Sequence, residues 1–153
     1  MTRRTAGPRR RQRGIAAVEL ALVLPAFVLL LAATVFIGRT LYHYQAIQKA
    51  AHDAARYLAS APALEVSSPS RMDGTVAVAR AIVAAELADL RTGGYAPVVG
   101  VLCNGGPCAG FSAPVTVAVS VEMMLNDDLV PVSLYGLDGV DLTAKATMRY
   151  VGN

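Results

Sequence analysis

Two groups near the start of the chain could do chemistry together. Glu19 is the lone charge in the 24-residue run Ile15–Gly38. An ionised carboxylate at mid-bilayer costs about 2.5–3.5 kcal/mol even on mild scales, so an acid in such a run needs a reason. Four residues earlier lies the peptide bond Gly14–Ile15. Cutting it would free an α-amino group at Ile15, one helical turn from the Glu19 carboxylate. In lipid each of these groups is costly alone, and pairing offsets much of that cost. In a helix bundle, one chain's amine can meet the next chain's carboxylate and set the axial register. The plainer reading is that Glu19, only about 7 Å along the helix, snorkels to the interface. On spacing alone both readings stand.

The other reactive residue types point to structure. Cys103-Asn-Gly-Gly-Pro-Cys108 encloses a turn-forming tetrapeptide, and outside the cytoplasm a Cys103–Cys108 disulfide is the natural reading. Chain entropy puts so short a loop at about 2 kcal/mol. The rival, a redox or metal pair, lacks a second cysteine pair, because the chain has two cysteines in all. That count also excludes a disulfide-dense scaffold and a four-cysteine zinc site. His43 and His52 stand without an H-E-x-x-H context and read as ordinary surface residues. Asp127, Asp128, Asp138 and Asp141 lack the spacing and distal glutamate of a calcium loop, so they read as turn residues. No P-loop, G-x-S-x-G or dinucleotide fingerprint occurs, so the expectation is no metal, no cofactor, no small-molecule substrate and no enzymatic activity.

The elements that position these residues follow from periodicity. Ile15–Gly38 would extend roughly 36 Å as a helix, enough to cross a hydrocarbon core of about 30 Å, and it is too apolar on every face for a soluble helix. Pro25 inside it predicts a mild kink tolerated within the span. From Leu41 the helical period continues through Ile47, Ala50, Ala51, Ala54, Ala55 and Leu58, with Gln45, Gln48, Lys49, Asp53 and Arg56 between them. One helix is therefore expected from about residue 15 to 60, amphipathic in its second half. Tyr42, Tyr44 and Tyr57 suit an interfacial anchor and head packing.

Pro62–Asp73 reads as a loop. Asp73 or Thr75 is expected to cap a second helix through about Leu90, ended by Gly93–Gly94. The period then becomes two. Tyr95–Leu102 is a short strand, Pro114–Leu125 a strand with one covered face, Asn126–Asp128 a turn, and Val140–Val151 a last strand. The fold class is α+β. The expected divisions are 1–14, a basic leader; 15–38, the transmembrane helix; 39–60, its amphipathic continuation; and 61–153, a small head with a second helix and an antiparallel sheet.

Charge sets the expected orientation. Hydrophobic residues make up 54% of the 153 and charged ones 16%, with a net charge of +3. Six arginines and no acid lie in residues 1–14, which leaves eight basic against eleven acidic residues beyond and a body of −3. The positive-inside rule then predicts a cytoplasmic N-terminus and an extracytoplasmic head. The arginines form a tether beside a membrane, so anionic lipid is the nearer partner and nucleic acid is not expected. A conventional secretory signal is disfavoured, because the apolar stretch exceeds the usual 7–15 residues and no clean A-x-A site follows.

The segment "RGIAAVELALVLP", a short basic leader with Gly before an apolar helix and Glu at its fifth residue, resembles a class III prepilin signal. With "GRTLYHYQAIQKAAHDAARYLA" after it, the pattern over about residues 11–60 resembles the TadE-like family of minor pilins (pseudopilins) of tight-adherence (Tad, or Flp) pilus systems. The resemblance implies cleavage after Gly14 by a prepilin peptidase, a new amine at Ile15, and a register contact at Glu19. It further implies a single-pass protein of the cytoplasmic membrane whose partners are other Tad pilins and the assembly platform. Leu20 follows Glu19 where major Flp pilins tend to carry an aromatic, and the head is large for a major pilin; both fit a minor component. The competing expectation is a single-pass membrane protein with a binding head, unprocessed and outside any filament.

Overall fold

In the computed structural model the described residues are 12–90, 95–125 and 139–152, with side chains described from residue 16 onward. Helix α1 spans Gln12–Ser60 with Pro25 inside it. The short helix α2 is Ala63–Val66, and α3 is Pro69–Leu87. Strands β1 (Val98–Cys103), β2 (Gly106–Pro107), β3 (Thr116–Leu125) and β4 (Val140–Arg149) form one antiparallel sheet in the order β2-β1-β3-β4. The α+β class is as expected. The chain divides into two compact units, Met1–Ile37 and Gly38–Asn153, and each is taken in turn.

The first unit is helical through its described residues, and every side chain from Ala16 to Leu31 is exposed. These include Leu22 at 78% and Leu30 at 69%. Leu, Val and Phe facing outward around the whole helix leave no polar side for water, which is the composition of a segment solvated by lipid.

In the second unit, the rest of α1 buries one stripe. Ile47, Ala50, Ala51, Ala54, Ala55 and Leu58 are fully buried. Their three- and four-residue spacing puts them on one face, and the alanines let that face come close to its neighbours. They join Ala79, Val83 and Leu87 of α3 and Val117, Val119, Val121, Met123 and Leu125 of β3 in the main core. β3 alternates because one sheet face is covered, with Glu122 pointing outward. β4 is held to β3 by pairs such as Val121 with Ala144 and Met123 with Leu142, and both β4 residues are buried. Burying side chains such as Ile47 and Leu58 is worth about 1.5–3 kcal/mol each.

Several expectations need correction. The stretch 62–73 is not simply a loop, since it holds α2 and the start of α3. Pro69 sits in the first turn of α3 behind Ser68, which has extended backbone angles. Proline suits that place because its missing N–H would be unbonded there anyway and its φ is already helical. The cap is therefore Ser68, whose carbonyl accepts from the amides of Arg71 and Met72, and neither Asp73 nor Thr75. Thr75 is interior to α3 and donates to the Arg71 carbonyl at 3.2 Å. α3 stops at Leu87, three residues short of Leu90, which still packs partly buried against the core. Gly93–Gly94, the Asn126–Asp128 turn and the irregular segment up to residue 138 lie outside the described residues.

Candidate functional site

The residues singled out at the N-terminus lie on α1. Gly14 and Ile15 lie within its described span, Gln12–Ser60. Glu19 is exposed and lies in the uniformly exposed apolar stretch 16–31. Pro25 is passed without a break in the helix. By length and composition α1 is the one candidate membrane span among the described residues.

In the head, Cys103 and Cys108 are joined by a disulfide, with Cα atoms 4.9 Å apart. Between them Asn104 and Gly105 take φ of +54° and +84°, the left-handed values of the tight two-residue hairpin that an Asn-Gly pair favours. The Asn104 side chain does more than turn the chain. Its Oδ1 accepts from the amides of Val115 at 2.8 Å and Thr116 at 3.0 Å, tying the hairpin to the start of β3. Gly110 has φ +71°, and a Cβ there would stand 2.8 Å from the Pro69 Cα. Only glycine lets this loop close against the first turn of α3.

A second small cluster of Ala61, Val66 and Met72, with the disulfide and Tyr150 packed against it, lies where α1 ends. Tyr150 donates from its hydroxyl to the Ala61 carbonyl at 2.7 Å, and the Val151 amide donates to the Ala59 carbonyl at 2.9 Å. The C-terminal residues thus satisfy carbonyls that the helix end leaves over. Burial pushes the Tyr150 hydroxyl pKa up. Lys49 bonds Glu86 of α3 and pairs with Asp53 at 3.4 Å. The Glu86 hydrogen bond holds the Lys49 ammonium pKa up against an opposing cost of desolvation, with the Asp53 contacts adding less.

His43 departs from the surface reading. It is 4% exposed, its Nδ1 donates to the Arg39 carbonyl at 2.8 Å, and its Nε2 is buried without a hydrogen bond. It lies one turn before Ile47, so the buried stripe runs through it, and an apolar count passes over histidine. His52, by contrast, is exposed. Tyr42 is exposed, while Tyr57 packs partly buried on the core.

Open hollows among the described residues include the following. One of about 490 Å³ is lined by Tyr95, Val98, Glu122, Met124, Asp141 and Thr143 among others. One of about 430 Å³ lies between Tyr57, Glu65, Arg71 and Thr75, and one of about 300 Å³ between Tyr42, Gln45, Lys49 and Glu86. In the second, the Thr75 hydroxyl donates to the Glu65 carboxylate at 3.5 Å as well as to the Arg71 carbonyl. Among the described residues no group of three or more His, Cys, Asp or Glu could hold a metal. Asp127, Asp128 and Asp138 lie outside those residues. The features that sequence reasoning passed over are Tyr150, Gly110 and the buried His43. Of these, only His43 left a signal, its place in the helical period.

No curated protein matches this chain, and no solved structure matches it. Residues 14–56 match the model of one protein family, described as TadE-like protein. The match starts at Gly14 on α1, takes in Glu19, Pro25 and the apolar run, and ends within the buried stripe. Over residues 14–56 this chain is similar to the TadE-like family.

Proposed function

We propose that this protein is a minor pilin, or pseudopilin, that takes part in assembling a Tad-type pilus after cleavage behind Gly14 by a prepilin peptidase. The observation that carries the reading is the coincidence of the TadE-like match at 14–56 with a helix whose apolar stretch 16–31 is exposed throughout. Together they make a membrane-anchored, Tad-associated protein. The finer steps follow from chemistry. Six leader arginines keep the N-terminus in the cytoplasm of the inner membrane and the head outside. The chemistry is done to the chain, by the peptidase, and the chain contributes surfaces. Gly14 supplies the cut, Ile15 the new amine, and Glu19 a carboxylate for the amine of an adjacent pilin, which sets the stagger between helices. A disulfide-closed turn suits a head outside the reducing cytoplasm.

Mass spectrometry of the full-length protein extracted from membranes of cells holding the cognate peptidase tests this. The expected mature chain begins at Ile15, and an intact leader in those cells would overturn the processing. Glu19→Gln should lower incorporation into pili at least tenfold while leaving the head folded. Unchanged piliation would remove the register role.

A further inference from the structure

The chain has one Asn-Gly pair, Asn104–Gly105, and it sits at the exposed tip of the hairpin that the Cys103–Cys108 disulfide closes. An asparagine followed by glycine carries its own reaction. The backbone nitrogen of the glycine can attack the asparagine Cγ, and a residue without a side chain leaves that nitrogen unshielded. Gly105 stands in open space, since a Cβ built there would meet nothing within 4 Å. We propose that Asn104–Gly105 is a self-modification site, shielded while the disulfide holds the hairpin closed and laid open once the disulfide is reduced.

The shield lies in the hydrogen bonds of the asparagine. Its Oδ1 accepts from the amides of Val115 at 2.8 Å and Thr116 at 3.0 Å, and its own amide donates to the Thr116 carbonyl at 2.9 Å. These bonds fix the side chain against the start of β3, so its Cγ meets the Gly105 nitrogen only when the hairpin opens. What keeps the hairpin closed is chiefly the disulfide. β2 contributes just two paired residues, Pro107 with Leu102 and Gly106 with Cys103, too little for a hairpin to persist by itself. The rate of modification then follows the population of the opened hairpin, as at any site reached by local opening.

The steps balance with a dithiol and water alone. The dithiol passes two electrons and two protons to Cys103 and Cys108 and becomes a disulfide itself. In the opened loop the Gly105 nitrogen bonds to Cγ of Asn104, the Cγ–Nδ2 bond breaks, and ammonia leaves with the proton that the Gly105 nitrogen loses. Water then opens the cyclic imide at one of its two carbonyls. Opening on one side leaves an ordinary aspartate at the position, whose carboxylate can take the same two amides. Opening on the other leaves an isoaspartyl link, which adds one carbon to the main chain inside the disulfide loop and spoils the pairing of Cys103 with Gly106. Reduction is reversible and this mark is not, so the hairpin keeps a record of having been reduced.

The experiment holds the full chain in detergent micelles at neutral pH, oxidised or with a dithiol reductant. Conversion at Asn104 is followed by peptide mapping, with enzymatic methylation to count isoaspartate. Reduction should speed conversion by about tenfold or more. Replacing Cys103 and Cys108 together by Ser should give the faster rate without reductant. Val115→Pro deletes one donor to Oδ1 and leaves the disulfide in place, and should speed conversion about fivefold in the oxidised chain. Equal rates in the oxidised and reduced wild type would overturn the proposal. Faster conversion in the oxidised chain would overturn it too, and would make the Val115 and Thr116 amides donors that assist the attack. Circular dichroism on the same samples shows whether reduction unfolds the whole head. If it does, the oxidised Val115→Pro chain decides, and a rate equal to that of the oxidised wild type overturns the shielding.

Discussion

Residues 16–31 and 47–58 belong to the same helix, and both are rich in apolar side chains, but the protein treats them in opposite ways. In the first stretch every side chain is exposed. In the second, Ile47, Ala50, Ala51, Ala54, Ala55 and Leu58 are wholly buried while Gln48, Lys49 and Arg56 face outward. The difference lies in width. An apolar surface that goes all round a helix cannot be covered by one sheet, and it makes this stretch the candidate membrane span. A stripe can be covered, and β3 with α3 covers it. Size matters too: the exposed half carries Leu, Val and Phe, whereas the buried stripe is mostly alanine, which allows close approach at the cost of little side-chain entropy. Helix-forming tendency is common to both halves, and the partner differs.

The contrast can be broken most sharply from the buried side. Leu58→Ala should destabilise the head by about 2–5 kcal/mol, read as a shift of the denaturant midpoint of the full protein in micelles. Leu30→Ala should leave that midpoint within about 0.5 kcal/mol. Comparable losses at both positions would erase the distinction. From the lipid side, Leu30→Lys should cost about 2.5–3.5 kcal/mol of insertion, measured as the inserted fraction of the full chain, with the head's unfolding unchanged. A loss of head stability without a loss of insertion would reverse the assignment.

Smaller effects sharpen the account of the head. Replacing Cys103 and Cys108 together by Ser should lower stability by about 2 kcal/mol, and adding reductant to the wild type should give the same shift. Tyr150→Phe removes the bond to the Ala61 carbonyl and should cost about 1 kcal/mol, with faster amide exchange at the end of α1 but none near Glu19. The smallest change concerns alkaline pH. Lys49 has a raised pKa in the folded head, so its ion pairs stabilise below the ordinary lysine value and their contribution is lost as pH climbs through the folded one. Tyr150 is held neutral by burial, so the unfolded chain releases that proton first, from about pH 10 upward. Both act in one direction: the unfolding midpoint should fall above about pH 10, and a Lys49→Met, Tyr150→Phe double variant should show a flatter alkaline limb.

Much of this molecule was legible without coordinates because its strongest signals are periodic and local. The membrane run needs only hydropathy and length. The stripe from Ile47 to Leu58 needs only the helical repeat, and Val117, Val119 and Val121 need only alternation. The less legible parts are those where a local rule has two outcomes. Pro62, Ser68 and Pro69 read as breakers, but a proline preceded by an extended serine opens a helix as readily as it ends one. Leu90 continues a helical pattern that the backbone abandons at Leu87, since apolar spacing marks which residues are buried and not where the hydrogen bonds stop. His43 is polar by type and buried by position.

Chain order alone therefore determined that one helix has two faces of different kinds, that an acid stands near its start behind a glycine, and that two alternating strands follow. These are consequences of neighbouring residues, and a repeat or a spacing carries them completely. Tertiary structure decided what no spacing carries. It brought Tyr150 back to Ala61 across 89 residues, set the disulfide and Gly110 against the first turn of α3, and chose Glu86 as the partner of Lys49. Such contacts depend on where separate elements come to rest, and that is settled by packing against a shared core, in which each position is chosen by all the others at once.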